Sequence, residues 1–283
     1  MTTSPTPPTS PHVAARATRP EAPALILTGE RTLPGIPDEN YWFQRHVVAY
    51  NLACAAITDR FAGATVLDAG CGEGYGLRLL ANAGAARVIG VDLDPTVVEH
   101  IRVTHAVDAR IVAHAAELMA LPLHDDEVDL TVSFQVIEHL HDIPGYLASL
   151  RRVTRPGGEI WIATPNRLTF TPGQDTPTNP FHTLEFTAQE LRDQLTRAGL
   201  DVVQLLGLHH GALLAAFEQR AGASFTDLLI AGEPAAWDPD LRATVHSVQP
   251  SWFDVRAEAD VSTATWAADL DRSLDLLARC VVR

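Results

Sequence analysis

Residues 66–76 read VLDAGCGEGYG, and this stretch restricts the fold more than any other. An apolar run, Thr65–Asp68, ends on an acid. Glycines follow at alternate positions, Gly70, Gly72, Gly74 and Gly76, ahead of residues with helical spacing. Glycines let the backbone turn tightly and approach a ligand at the carboxyl end of a sheet, so the pattern predicts a strand, a ligand-binding loop and a helix. A dinucleotide fingerprint, G-x-G-x-x-G, offers amides to a pyrophosphate with no acid before it. Asp68 would repel a pyrophosphate and suits a ligand carrying a cationic amine, which argues against a nicotinamide dehydrogenase.

The rhythm continues. Strands are expected at Arg87–Asp92, Arg110–Ala113, Val128–Phe134, Glu159–Thr164 and Asp201–Leu206, with helices between them. Asp94-Pro95 reads as a cap with proline at the first helical position, and Thr187 to Glu190 as a capping box. Such alternation predicts a parallel sheet covered by helices on both faces. Residues 40–61 have the spacing of an N-terminal helix capped by Asn40. Residues 1–24, dense in proline, threonine and serine, read as a disordered tail. Residues 25–62 form an N-terminal lid and helix, 63–206 the core, and 207–270 a helical insertion. Periodicity does not decide whether the final stretch, 271–283 with SLDLLARCVVR, is strand or helix.

The formal charge of −14, from 21 basic residues that are all arginine against 35 acids, repels phosphate backbones and excludes nucleic acid as a partner. Cys54, Cys71 and Cys280 are widely spaced and form no motif, which fits a reduced cytoplasm. No apolar run reaches membrane-span length. The expectation is a cytoplasmic chain; its oligomeric state is open.

Further along, VIGVDLDP puts Asp92 at the tip of the second strand, about 20 residues past the glycines, where a carboxylate accepts two ribose hydroxyls. In HAAELMALPL, Glu117 suits an adenine amino group, with Leu93 and Leu118 on the ring's two faces. Past the fourth strand, Gln135, Glu138, His139, His141 and Asp142 crowd into TVSFQVIEHLHD. His141 and Asp142 read as a solvated turn, and Glu138 either as a helix-start carboxylate or as chemistry. The loop 164–187 is long, which points to function. In it His182 and Glu185 are expected to face the same cavity as Glu138 and His139, or His182 only braces the loop. Asn166, Arg167, Asp175 and Asn179 suit a polyhydroxylated acceptor.

Together, the D-x-G-x-G-x-G loop, Gly-Val-Asp, the acidic loop ending in Leu-Pro, VDLTVSFQVIEHL and the TRPGG turn resemble the class I S-adenosylmethionine-dependent methyltransferases over roughly residues 65–206. The resemblance implies a Rossmann-like α/β fold: a seven-stranded, mostly parallel sheet whose last strand, SLDLLARCVVR, is antiparallel, with the insertion over the substrate side. It implies S-adenosylmethionine as donor, with Gly70, Cys71 and Gly72 lining its methionine part beside Asp68 and Gly74. Asp92 would take the ribose, Glu117 the adenine, and Phe134–Gln135 the sulfonium region. In LTGERTLPGIPDENYWFQRH (27–46), Arg45 would meet the donor's carboxylate, and Tyr41 with Trp42 would close over it or simply pack.

A hydroxyl acceptor must lose a proton, so a histidine base or a metal is needed. The segment is similar to the ubiquinone-biosynthesis O-methyltransferases, whose Glu-x-x-Glu-His can hold a divalent metal. Here Gln135 replaces the first carboxylate, and a Mg²⁺ site would comprise Gln135, Glu138 and His139. The base is His139 or His182. GERTLPGIPDENYWF, TPNRLTFTPG and TPTNPFHTLEF further resemble an actinobacterial subgroup whose mycobacterial members are linked to methylglucose lipopolysaccharide. That implies O-methylation of glucose hydroxyls in an oligo- or polysaccharide. The rival acceptor is a phenol or quinol under an aromatic lid of Trp237, Trp252, Phe253 and Trp266; a non-catalytic donor-binding protein is the remaining alternative.

Overall fold

The computed structural model describes residues 21–27, 31–174, 176–257 and 269–283. The tail expected over 1–24 lies outside them as far as residue 20. Residues 21–27 lack regular structure, and the Pro23 carbonyl accepts a hydrogen bond from His100 Nδ1 at 2.7 Å.

Eight strands form one sheet among the described residues: β1 (Thr65–Ala69), β2 (Arg87–Asp92), β3 (Ile111–Ala115), β4 (Val128–Phe134), β5 (Thr154–Pro165), β6 (Leu200–His210), β7 (Phe253–Ala257) and β8 (Asp275–Val282), in the order β3-β2-β1-β4-β5-β8-β6-β7. The pairs from β3 through β5 are parallel, and β8 runs antiparallel to both β5 and β6. The expected seven strands are therefore present, with the last one antiparallel, and an eighth corrects the count. β6 overshoots its expected end at Leu206, and Leu206–His210 pairs antiparallel with FDVRA of β7. The region read as a wholly helical insertion thus begins inside β6 and contains a further strand, β7.

The helices are α1 (Asn40–Arg60), α2 (Tyr75–Asn82), α3 (Pro95–Thr104), α4 (Ile143–Val153), α5 (Arg167–Phe170), α6 (Ala188–Arg197), α7 (Ala212–Ala221), α8 (Phe225–Ile230) and α9 (Pro239–Ser247). Their ends follow local chemistry. Asp94 caps α3 through Thr96 N–H, and Thr187 with Glu190 makes the expected capping box on α6. Asp142, read as part of a solvated turn, caps α4 by accepting Gly145 N–H at 2.9 Å. On α4 the buried residues Ile143, Tyr146, Leu147, Leu150 and Val153 form one apolar stripe, each worth about 1.5–3 kcal/mol on burial. The stripe packs with α6 on one sheet face, while α1, α2 and α3 cover the other. A third core joins the insertion to the start of α1 through Tyr41, Phe225 and Phe253. Asn40 does not cap α1; its amide donates to the Val245 and Val248 carbonyls at 2.9 and 3.0 Å and ties α1 to α9.

Strand order reverses at β1/β4, so the crevice at their carboxyl ends is where an open α/β sheet binds its ligand. The glycine loop there adopts left-handed conformations at Gly70, Gly72 and Gly74 (φ 84°, 50° and 93°). Beneath it, Asp68 is fully buried and accepts the Tyr50 hydroxyl at 3.0 Å. Removal from water pushes its pKa up to about 7, against the pull of that hydrogen bond. A carboxyl raised from 3.8 to about 7 on folding is protonated more in the native state than in the unfolded one. Its contribution to stability is therefore fullest below the unfolded value and is lost as pH rises through about 7. Chemical denaturation at about pH 5 and about pH 8 should show Asp68→Asn gaining stability relative to the wild type at the higher pH. An equal difference at both pH values would refute the burial argument.

Candidate active site

Two cavities open at the carboxyl end of the sheet and share a wall. The first, about 780 Å³, is lined by Gly70, Cys71, Gly72, Glu73, Asp92, Leu93, Glu117, Leu118, Phe134 and Gln135, which brings together most of the expected donor residues. Asp92 is held by two amides: Gly72 N–H donates to Oδ2 and Asp94 N–H to Oδ1, each at 3.0 Å. Each oxygen keeps a second lone pair for a ribose hydroxyl. Leu93 and Leu118 both line the cavity, as does Met119, which sequence reasoning did not single out.

Four donor-side expectations need correction. Asp68 lies below the loop on Tyr50 and is not part of the cavity lining. Gly74 is not on the lining either; a Cβ there would meet Ile101 Cγ1 at 2.7 Å, so this glycine serves helix packing. Tyr41 is wholly buried, its hydroxyl 2.7 Å from His210 Nε2 and 3.1 Å from Thr226 Oγ1. Arg45 is buried against Asp275, donating Nε to Oδ2 at 3.1 Å and Nη2 to Oδ1, with its guanidinium over the Trp42 ring. A guanidinium buried and engaged through both Nε and Nη2 by one carboxylate is not offered to a donor carboxylate.

The cation that does line the first cavity is Arg31, the one arginine among its described lining residues. Its side chain reaches Asp94 at 3.2 Å. Sequence reasoning also passed over Glu73, whose Oε2 is buried without a hydrogen-bond partner, and His46, one residue after the favoured Arg45.

The second cavity, about 650 Å³, is lined by Glu39, Trp42, Arg45, Glu138, Phe170, Asn179, His182 and Asp275 among others. Arg31, Thr32, His46, Gln135 and His139 line both cavities and mark the junction. Gln135 turns the chain out of β4 with φ 56°, which is rare for a residue with a side chain. Its N–H is held by the Ala163 carbonyl at 2.8 Å. The 3₁₀ turn that follows, Ile137–His139, sends adjacent residues into different surroundings. Glu138 is 1% exposed; Thr164 Oγ1 donates to its Oε2 at 3.0 Å, while Oε1 has no hydrogen-bond partner. Burial pushes its pKa up to about 8. Desolvation holds His46 down at about 4, so this imidazole is neutral at physiological pH.

His139 and His182 meet edge to face with ring centroids 4.9 Å apart. His139 Nδ1 lies 3.0 Å from the Phe181 carbonyl. His182 Nδ1 lies 2.7 Å from Glu185 Oε1, and its Nε2 lies 3.1 Å from Asn179 Nδ2. Glu185 is therefore a support behind His182, not a group on the cavity wall. Asn166 is not a substrate contact: its fully buried amide donates to the carbonyls of Leu270, Asp271 and Ser273. Arg167 pairs with Glu190 at 2.8 Å, and Asp175 lies outside the described residues. Of the expected aromatic lid, Trp237, Trp252 and Phe253 belong to the insertion's own core, and Trp266 lies outside the described residues. The aromatic faces on the second cavity are those of Trp42 and Phe170.

A helix long and apolar enough to cross a membrane is absent among the described residues. Residues 67–162 match the family model of the methyltransferase domain. A Mycolicibacterium smegmatis protein named as a probable S-adenosylmethionine-dependent methyltransferase is 46% identical over 260 residues, covering 91% of this chain and 95% of its own length. A Mycobacterium tuberculosis protein of the same description is 45% identical over 261 residues, covering 91% and 89%. Among solved structures, a Haloferax volcanii chain from the complex of the Trm112 methyltransferase activator with a methyltransferase shares the fold. It superposes with a TM-score of 0.56 at 19% identity, covering 87% of this chain and 93% of that one. With near full-length relatives at this identity and the donor crevice built as described, the chain belongs to the S-adenosylmethionine-dependent methyltransferases.

Proposed function

We propose that the chain transfers the methyl group of S-adenosylmethionine to a sugar hydroxyl of an oligo- or polysaccharide. 6-O-methylation of glucose in glucans of the methylglucose lipopolysaccharide type is the acceptor chemistry that the sequence resemblance favours. The observation that carries this reading is the pair of His139, at the junction, and His182, beside it in the second cavity, each with Nδ1 held by an oxygen. A carbonyl or carboxylate accepts, so Nδ1 bears the proton and the lone pair sits at Nε2. An attacking hydroxyl has to shed a proton where it meets the methyl carbon, and these imidazoles are the groups at hand. Asn179 and Glu39 offer hydrogen bonds to a polyhydroxylated ring, and Trp42 and Phe170 offer flat faces. Of the aromatics expected over a phenolic acceptor, Trp237, Trp252 and Phe253 pack in the insertion's own core.

The donor's carboxylate is assigned to Arg31, and the reaction runs as an in-line displacement. The C–O bond forms as the C–S bond breaks, the sulfur electron pair leaves with S-adenosylhomocysteine, and the hydroxyl proton leaves through the junction. Cytoplasmic action on a soluble glucan accords with this reading.

Labelled methyl groups should pass from the donor into α-glucan oligosaccharides and not into catechols; label confined to catechols would overturn the sugar assignment. His182→Ala should lower kcat by roughly 10²–10⁴ while donor affinity stays unchanged. For Arg31, calorimetry with the donor and its decarboxylated analogue separates charge recognition from packing. The wild type should prefer the carboxylated form by about tenfold or more, and Arg31→Ala should lose that preference. A preference that survives the substitution places the carboxylate elsewhere.

A further inference from the structure

We propose that Glu138, His139 and His182 form a site for one borderline divalent cation of the zinc, manganese or cobalt class, distinct from a magnesium site on Gln135. The inference deepens the O-methyltransferase reading and rests on it for the cation's chemical use. One ligand atom from each of the three residues lies within 4.8 Å of the other two. Glu138 supplies the anchor. It is 1% exposed, its Oε2 is taken by the Thr164 hydroxyl, and its buried Oε1 has no hydrogen-bond partner. A buried carboxylate oxygen is costly in that condition, and a cation relieves the cost.

The histidines supply the second, independent observation. His139 Nδ1 sits on the Phe181 carbonyl at 3.0 Å, and His182 Nδ1 on the Glu185 carboxylate at 2.7 Å. Metal-binding imidazoles are held this way, with the outer nitrogen donating to a carbonyl or carboxylate so that the ring's orientation and tautomer are fixed. Phe170 stacks on His182 at 5.4 Å and 28°, and the edge-to-face contact between the histidines sets the other plane. Glu185 is fully buried, so its place behind His182 is built into the core.

Ligand chemistry decides the ion. Magnesium takes oxygen ligands in an octahedron and keeps its waters, whereas two imidazoles and one carboxylate suit zinc, manganese, cobalt or ferrous iron. Gln135 remains at the junction and is not one of the three clustered groups. Asn179 now donates to His182 Nε2 at 3.1 Å, so filling the site requires its half-buried amide to swing aside or to rotate and present its oxygen. With both imidazoles on the cation neither is the base, and a sugar hydroxyl on the filled site would lose its proton to water at the cavity mouth. The resulting alkoxide oxygen would attack the methyl carbon as the C–S bond breaks.

The test uses tag-free, chelator-stripped, full-length protein. Cobalt(II) binding is followed by its visible absorption, and zinc, manganese and magnesium binding by calorimetry, with the thermal unfolding transition measured in every variant as the check on folding. Expected are one equivalent of cobalt and magnesium binding at least about 100-fold weaker. His182→Ala and Glu138→Gln should abolish cobalt binding, Gln135→Ala should retain it, and Glu185→Gln should weaken it about 10–100-fold. Three results would overturn the site: no cobalt binding by the wild type, unchanged binding after His182→Ala, or a magnesium preference that disappears with Gln135→Ala. Methyl transfer to glucan that is indifferent to stripping would overturn the cation's catalytic use alone. Cation binding as expected, without transfer to any sugar, upholds the site and overturns the acceptor assignment instead.

Discussion

Asp275 opens β8 near the middle of the sheet, and Arg45 comes down from α1 to meet it across 230 residues of chain. Two charges so far removed from water persist only as a well-made pair, and losing one partner costs about 3–5 kcal/mol. The guanidinium also donates to the Leu274 carbonyl at 3.3 Å and lies 5.2 Å from the Trp42 ring centroid. The pair therefore fixes how the first helix crosses the end of the sheet. Tyr41 and Asn40, on the same helix, then reach the insertion through His210, Thr226 and the carbonyls of Val245 and Val248 at the end of α9. Trp42 and His46 are thereby set as walls of the second cavity and of the junction.

The junction must accept a sulfonium and then release a neutral thioether. A fixed carboxylate beside the methyl group would stabilise the charged donor more than the transition state, in which that charge is fading. In the site without a cation, burial works against such a carboxylate at Glu138, whose pKa it pushes up to about 8. His46, held at about 4, is not an imidazolium that would repel the donor. Tyr50 also contributes, since its ring packs edge to face on Phe134 while its hydroxyl covers Asp68.

The residues that line the first cavity were legible because their placement is local. The glycine loop, Asp92 and the Leu93–Leu118 pair follow strands whose ends can be read from apolar runs and turn residues, and their roles depend on neighbours a few positions away. Where partners are distant, residue type misled. Arg45 looked like a ligand for a carboxylate and found one in Asp275; Asn166 looked like a sugar contact and instead brackets the chain around Leu270. Tyr41 looked like a lid, and its partners lie 169 and 185 residues on. The eighth strand was hidden for another reason. FDVRA is short, and its partner is the overrun of β6 at Gly207–His210, where a glycine and two histidines do not read as strand.

Gln135-Val-Ile-Glu138-His139 shows why a motif's spacing is not yet a site. In the chain these residues look like one ligand set, with a glutamine in place of an acid. In the structure the left-handed turn at Gln135, a conformation worth about 1–3 kcal/mol of strain, sorts them. Gln135 stays on the wall between the cavities, Glu138 goes inward to Thr164, and His139 turns to His182, 43 positions further along the chain. The strain is tolerated because the Gln135 N–H is held by β5 and the Glu138 carbonyl accepts from both Thr183 N–H and its hydroxyl, at 2.7 and 3.1 Å. That clamp draws the loop after β5 onto the turn after β4. The histidine pair on the second cavity is therefore a product of two loops pinned together, and the partner that completes it is His182, which the motif does not contain.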